Sequence, residues 1–104
     1  MTSKSIEYNV VGIGHEFWIV VENNLIIGMT VLGRESSNQL RIMYVEVAAS
    51  HKSKGIGSGL IQTILSQYPN DEFSVIPFEG TDDFYRKLGF KKVNRWEMRR
   101  SAHN

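Results

Sequence analysis

The sequence predicts an α/β fold, a mixed sheet with helices packed against it. Three features predict it. Two β-rich runs flank Asn23-Asn24, a dipeptide that tolerates the positive φ of a tight hairpin turn. A strand-like run at 40–47 passes through a glycine-punctuated loop into a helix-periodic segment and then into a second apolar run, the pattern of a right-handed crossover between parallel strands. A second helical pattern opens at Thr81. A chain of 104 residues is enough for one core, so 1–104 is expected to be a single domain.

Each element has its own warrant. Residues 1–4 are expected to fray, and Ile6 to Val11 reads as a first strand ended by Gly12 and Gly14. Glu16 to Glu22 is a stronger strand, and Leu25 to Leu32 is its hairpin partner. Gly33 to Asn38 reads as a polar loop, and Leu40 to Val47 as the next strand. In the helix that follows, Ile56, Leu60, Ile61, Ile64 and Leu65 share one face, and Pro69 marks its end. Phe73 to Phe78 is a short apolar strand. Thr81 suits an N-cap, with Asp82 and Asp83 in the first turn where the helix dipole favours carboxylates. Phe84, Tyr85 and Leu88 are expected to be buried, and Gly89 suits the left-handed position after the helix. Phe90 to Arg99 completes a β-β-β-β-α-β-α-β order as a strand or hairpin.

Composition narrows the function. A formal net charge of +1 gives no global electrostatic case for nucleic acid or membrane. The absence of cysteine excludes disulfides, a thiol nucleophile and thiolate metal sites, and no metal is expected. The N-terminus lacks the apolar stretch of a secretory signal, and no run approaches the roughly 20 apolar residues of a spanning helix. A cytoplasmic protein is the expectation. The basic tail from Arg95 to Arg100 reads as a solvated strand edge in which charge discourages aggregation; a nucleic-acid patch is the weaker reading.

The most informative stretch runs from Val47 to Leu60, a strand end, a basic glycine loop and a helix start. Glycines let backbone approach an anion, the unpaired N–H groups of a first helical turn point at it, and lysines add charge. A phosphorylated small molecule is the expected ligand; a glycine-rich turn with solvated lysines is the blander reading.

Two segments carry a family resemblance. Lys52-Ser-Lys-Gly-Ile-Gly57 is similar to the pyrophosphate loop of the GNAT superfamily of acyl-CoA N-acyltransferases, with Lys52 at the position of a Gln or Arg. Phe84-Tyr-Arg-Lys-Leu-Gly-Phe90 looks like the later motif of that family, and Asn23 to Gly28 is similar to its turn, strand and glycine pattern. The likeness covers residues 16 to about 95. It implies a GNAT-like fold without the two helices that family members usually carry between the first two strands, since Val11 to Glu16 has no room for them. Those helices commonly wall the acceptor site, which is therefore expected to be open or completed by another subunit.

The resemblance implies acetyl-CoA as cosubstrate and transfer of its acetyl group to a primary amine of a small molecule or protein. Backbone groups near Lys54, Gly55, Ile56, Gly57 and Ser58, with Lys52 and Ser53, are expected to hold the pyrophosphate. The Val47 N–H is expected to polarise the thioester carbonyl, where amine attack builds negative charge. Tyr85 is the candidate general acid, since a phenol with a pKa near 10 stays protonated at neutral pH and can supply the departing thiolate. A core aromatic whose hydroxyl caps a hydrogen-bond network is the blander reading. Glu46 is the first candidate base, Glu79 the second, and His15 and His51 follow; for His51, contact with coenzyme A is the stronger expectation. Arg41 stands where a histone-acetylating branch of the family carries a catalytic glutamate, so that mechanism does not carry over. The rival reading is a non-catalytic module that binds coenzyme A and regulates a partner; a subunit completed by a second chain is a third. Trp18, Ile26 and Met29 are expected to leave apolar surface exposed, which favours a homodimer.

Overall fold

The computed structural model describes residues 4–10 and 15–102. Seven strands form one sheet in the order β1-β2-β3-β4-β5-β7-β6. They are β1 (Lys4–Val10), β2 (His15–Glu22), β3 (Leu25–Ser36), β4 (Gln39–Val47), β5 (Glu72–Val75), β6 (Lys91–Lys92) and β7 (Met98–Arg100), with helices α1 (Ile56–Gln67) and α2 (Asp82–Lys87). Among the described residues only β4 and β5 run parallel, as the crossover through α1 requires. The four residues between β1 and β2 are too few for two helices, and the strands pair directly from Val10↔Glu16 to Lys4↔Glu22. Fraying is expected over residues 1–4, but Lys4 already pairs with Glu22 at the start of β1; the rest of that expectation and the strand end at Gly12 and Gly14 lie outside the described residues.

Helix α1 buries Ile56, Leu60, Ile61, Ile64 and Leu65, the face read from its periodicity, against one side of the sheet. Gly28 sets the distance: a Cβ there would lie 3.0 Å from Ile56 Cγ2, so its absence lets the start of α1 sit close on β3. The hairpin turn has Asn23 and Asn24 both at positive φ, 52° and 65°. Helix α2 ends as expected: Gly89 has φ 94°, its N–H bonds the Arg86 carbonyl, and the Phe90 N–H bonds the Tyr85 carbonyl.

A β-bulge organises β4. Leu32 pairs with Ile42 and Val31 with Tyr44, which leaves Met43 as the extra residue. The bulge switches the alternation. Before it Leu40 and Ile42 are buried; after it Val45 and Val47 pack against the core, and Tyr44 and Glu46 are exposed. Pairing with β5 reaches only Ile42↔Val75. From there to Val47, β4 has β3 on one side and, among the described residues, no strand on the other.

Several expectations need correction. Gly33 to Ser36 is strand, because Arg34 and Glu35 find partners along it: Arg34 forms a two-bond pair with Asp71 at 2.9 and 3.2 Å, and Glu35 accepts from Arg41 at 3.1 Å. β5 stops at Val75, since Pro77 has no N–H for a ladder, and Ile76 and Phe78 are exposed. The last segment is two short strands around a turn in which Asn94 Oδ1 accepts from the N–H groups of Trp96 and Glu97. Thr81 sits at the N-cap position, but its hydroxyl donates back to the Phe78 carbonyl at 2.6 Å instead of capping α2. Trp18 is buried in the core, which reduces the apolar surface expected for self-association to exposed Ile26 and half-buried Met29.

Candidate active site

The divergence of β4 from β5 opens a cleft of about 850 Å³. Its charged lining residues are Glu46, Lys52 and Lys87; much of the remainder is apolar. Backbone alternation decides what β4 presents. The Ala48 N–H bonds the Ile27 carbonyl of β3 at 2.8 Å, so the main-chain groups of Glu46 and Tyr44 also face β3. Those of Val45 and Val47 therefore face the cleft. Sequence reading singled out Val47 alone; Val45 is its equivalent two residues earlier.

Beyond β4 the chain makes a 3₁₀ turn, Ala49–His51, and enters the glycine loop. Ser53 has φ 64° and Gly55 has φ 77°, and this pair of left-handed residues reverses the chain into α1. Gly55 occupies the N-cap position and offers no side chain to the first-turn N–H groups. Gly55, Gly57 and Ser58 line the cleft, so these donors meet it there. Gly57 lies between the walls: a Cβ on it would be 3.5 Å from both Val47 Cγ2 and Phe84 Cζ.

Helix α2 forms the facing wall. Tyr85 packs edge-on to Phe84 at 5.0 Å and to Phe90 at 5.6 Å between ring centroids. Burial pushes its phenol above the ordinary value of 10.0, which holds it in the protonated form. Among the described residues its hydroxyl has no hydrogen-bond partner, and the ring lines the cleft. The reading of Tyr85 as a network cap is thus not what the fold contains. On the opposite side of the sheet, Glu46 accepts a hydrogen bond from the Tyr44 hydroxyl, and both residues line the cleft. The opening therefore passes through the sheet, with the glycine loop on one face and a carboxylate on the other.

Of the residues selected from sequence, Glu46, Val47, Lys52, Ser53, Gly55, Gly57, Ser58 and Tyr85 come together around this cleft. Ile56 sends its side chain into the core, which leaves only its backbone for the loop, and Lys54 is exposed outside the lining. Glu79 borders a separate groove with Arg86, Lys92 and Trp96. His51 turns away: its Nε2 pairs with Glu22 at 2.9 Å, tying the loop to the end of β2. His15 begins β2 opposite Gly33, two strands from the cleft edge. Arg41 is engaged by Glu35 and Glu97. Met43, Tyr44, Phe78 and Lys87 line the cleft without having been selected. The i, i+3 spacing of Phe84 and Lys87 was a usable signal for the last; the bulge that turns Met43 and Tyr44 had none.

The arrangement is a helix N-terminus facing a gap between two parallel strands, with a protonated phenol on the third side. The sequence matches the acetyltransferase (GNAT) domain family over residues 14–92, and the chain belongs to that family. Among solved structures it is similar to Tetrahymena Gcn5 (TM-score 0.79, 15% identity, covering 88% of this chain and 70% of that one). It is also similar to the Escherichia coli ribosomal-protein-S18-alanine N-acetyltransferase (TM-score 0.80, 10% identity, 90% and 73%). A third likeness is to a GNAT family acetyltransferase from Elizabethkingia anophelis with acetyl-CoA bound (TM-score 0.76, 18% identity, 88% and 78%). No curated protein sequence matches the chain. Among the described residues no helix is long and apolar enough to cross a membrane.

Proposed function

We propose that this protein transfers the acetyl group of acetyl-CoA to a primary amine. The observation that carries the reading is the cleft itself, which joins first-turn N–H donors, an open strand edge and the Tyr85 hydroxyl. The acetyl-CoA bound in the Elizabethkingia relative supports the choice of carrier.

The pyrophosphate rests on the N–H groups of residues 54–58, with Lys52 and Ser53 beside it. The pantetheine arm lies along the open edge of β4, and its amides pair with main-chain groups of Val45 and Val47. The amine enters from the face that carries Glu46, which accepts its proton directly or through water. The nitrogen attacks the thioester carbon, and the Val47 N–H stabilises the charge that develops on oxygen. The C–S bond then breaks, and Tyr85 donates its proton to the leaving thiolate. The products are an amide and coenzyme A. Tyr85 regains a proton from solvent.

The acceptor is a small amine or the lysine or N-terminus of a protein. Incubation with acetyl-CoA and a mixed amine panel, read by mass spectrometry, tests the proposal. Thiol release matched by an acetylated amine is the expected result. Tight binding of acetyl-CoA without amine-dependent thiol release would assign the chain instead to the non-catalytic, coenzyme A-binding class.

A further inference from the structure

The cleft carries one cation that the pyrophosphate does not use. Lys52 belongs to the glycine loop, but Lys87 comes from the last turn of α2, on the opposite wall. Phe84 and Lys87 are three residues apart and so share one face of α2. The Phe84 ring lies against Gly57, and Lys87 follows one turn later, where it also borders Gln62 and Ser66 of α1. It thus stands between the cleft and a second depression, whose other cation, Arg100, donates to the Leu88 carbonyl at 3.1 Å.

Two cations close to it in sequence are engaged. Arg86 reaches Asp83 at 2.7 Å and Asp82 at 3.8 Å, and Lys92 reaches Asp82 at 3.3 Å. Lys87 has no carboxylate partner among the described residues, although two aspartates begin its own helix. A flexible ammonium beside the cleft is suited to a compact phosphate dianion. First-turn N–H groups are enough for a diphosphate, and coenzyme A carries one more anion, the phosphate monoester on its ribose.

We propose that Lys87 is a second phosphate contact, which takes the ribose phosphate monoester and gives the protein its preference for coenzyme A over dephospho-coenzyme A. The inference rests on the coenzyme A reading of the cleft. Calorimetry with both ligands on wild type, Lys87→Met and Lys87→Arg tests it, since methionine keeps the apolar stem and arginine keeps the charge. Lys87→Met is expected to bind coenzyme A about fivefold to tenfold more weakly and dephospho-coenzyme A as wild type does, while Lys87→Arg retains most of the preference. Equal loss on both ligands would move the contact to the diphosphate and overturn the assignment to the monoester. No loss on either would overturn the contact altogether. A wild type that binds neither ligand would overturn the coenzyme A reading, and with it this one.

Discussion

Replacing Tyr85 by phenylalanine removes one oxygen and little else. Both aromatic contacts survive, because the ring partners at 5.0 and 5.6 Å meet the ring and not the hydroxyl. A buried hydroxyl usually contributes about 1 kcal/mol through its hydrogen bond. This one has no partner among the described residues, so that loss does not arise. The melting temperature should therefore stay within about 2 °C of wild type, and acetyl-CoA affinity should be unchanged. Turnover should fall by about 10²–10⁴-fold, the range for a positioned general acid, equivalent to about 3–5 kcal/mol of barrier. The assay is thiol release at saturating acetyl-CoA with an amine that the wild type acetylates. Unchanged turnover in Tyr85→Phe would refute the reasoning, and water or another residue would then supply the proton.

The pH dependence of stability offers a check on the same residue. Burial raises the folded-state pKa of Tyr85 above 10.0, so above that pH the unfolded chain loses the proton first and stability declines. Denaturant titrations from about pH 9 to 11 should show a shallower decline in Tyr85→Phe than in wild type. Gly28→Ala should cost about 1–3 kcal/mol, since its Cβ would press on buried Ile56 at 3.0 Å; a melting temperature lowered by several degrees would register it. Gly57→Glu should abolish coenzyme A binding in calorimetry, because a carboxylate would enter the gap between Val47 and Phe84 beside the phosphate donors. Lys52→Ala should weaken coenzyme A binding by about fivefold, whereas Lys54→Ala, outside the lining, should act only at low salt.

Legibility in the sequence followed the strength of local signals. Helix α1 was readable because its five apolar positions repeat at helical spacing, and the Asn23-Asn24 hairpin because few residues tolerate two positive φ angles in succession. The far half of β3 was not readable, since Arg34 and Glu35 are polar for reasons of partners on Asp71 and Arg41, and a polar run looks like a loop. The glycine loop and Tyr85 announced themselves by residue type. Their convergence depends on the Met43 bulge and the early end of β5, both tertiary events without a local pattern. His51 and Glu79 show the converse: chemically eligible residues near the right sequence positions, turned elsewhere by Glu22 and by the loop after Val75.

The exposed margin of β4 between Ile42 and Val47 also bears on how the chain survives before it meets a ligand. An unzipped strand margin is an adhesive surface, able to recruit any extended peptide, including another copy of the same segment. The Met43 bulge blunts that hazard by twisting the margin out of line, and the exposed Glu46 adds a repelling charge. A pantetheine arm lying there would act as a surrogate strand and mask the margin. Carrier and fold would then be thermodynamically linked: at a hundredfold excess over its dissociation constant, coenzyme A would add about 2.7 kcal/mol to stability. Without the carrier that contribution would vanish, and protection of the bare margin would fall to the bulge and Glu46 alone.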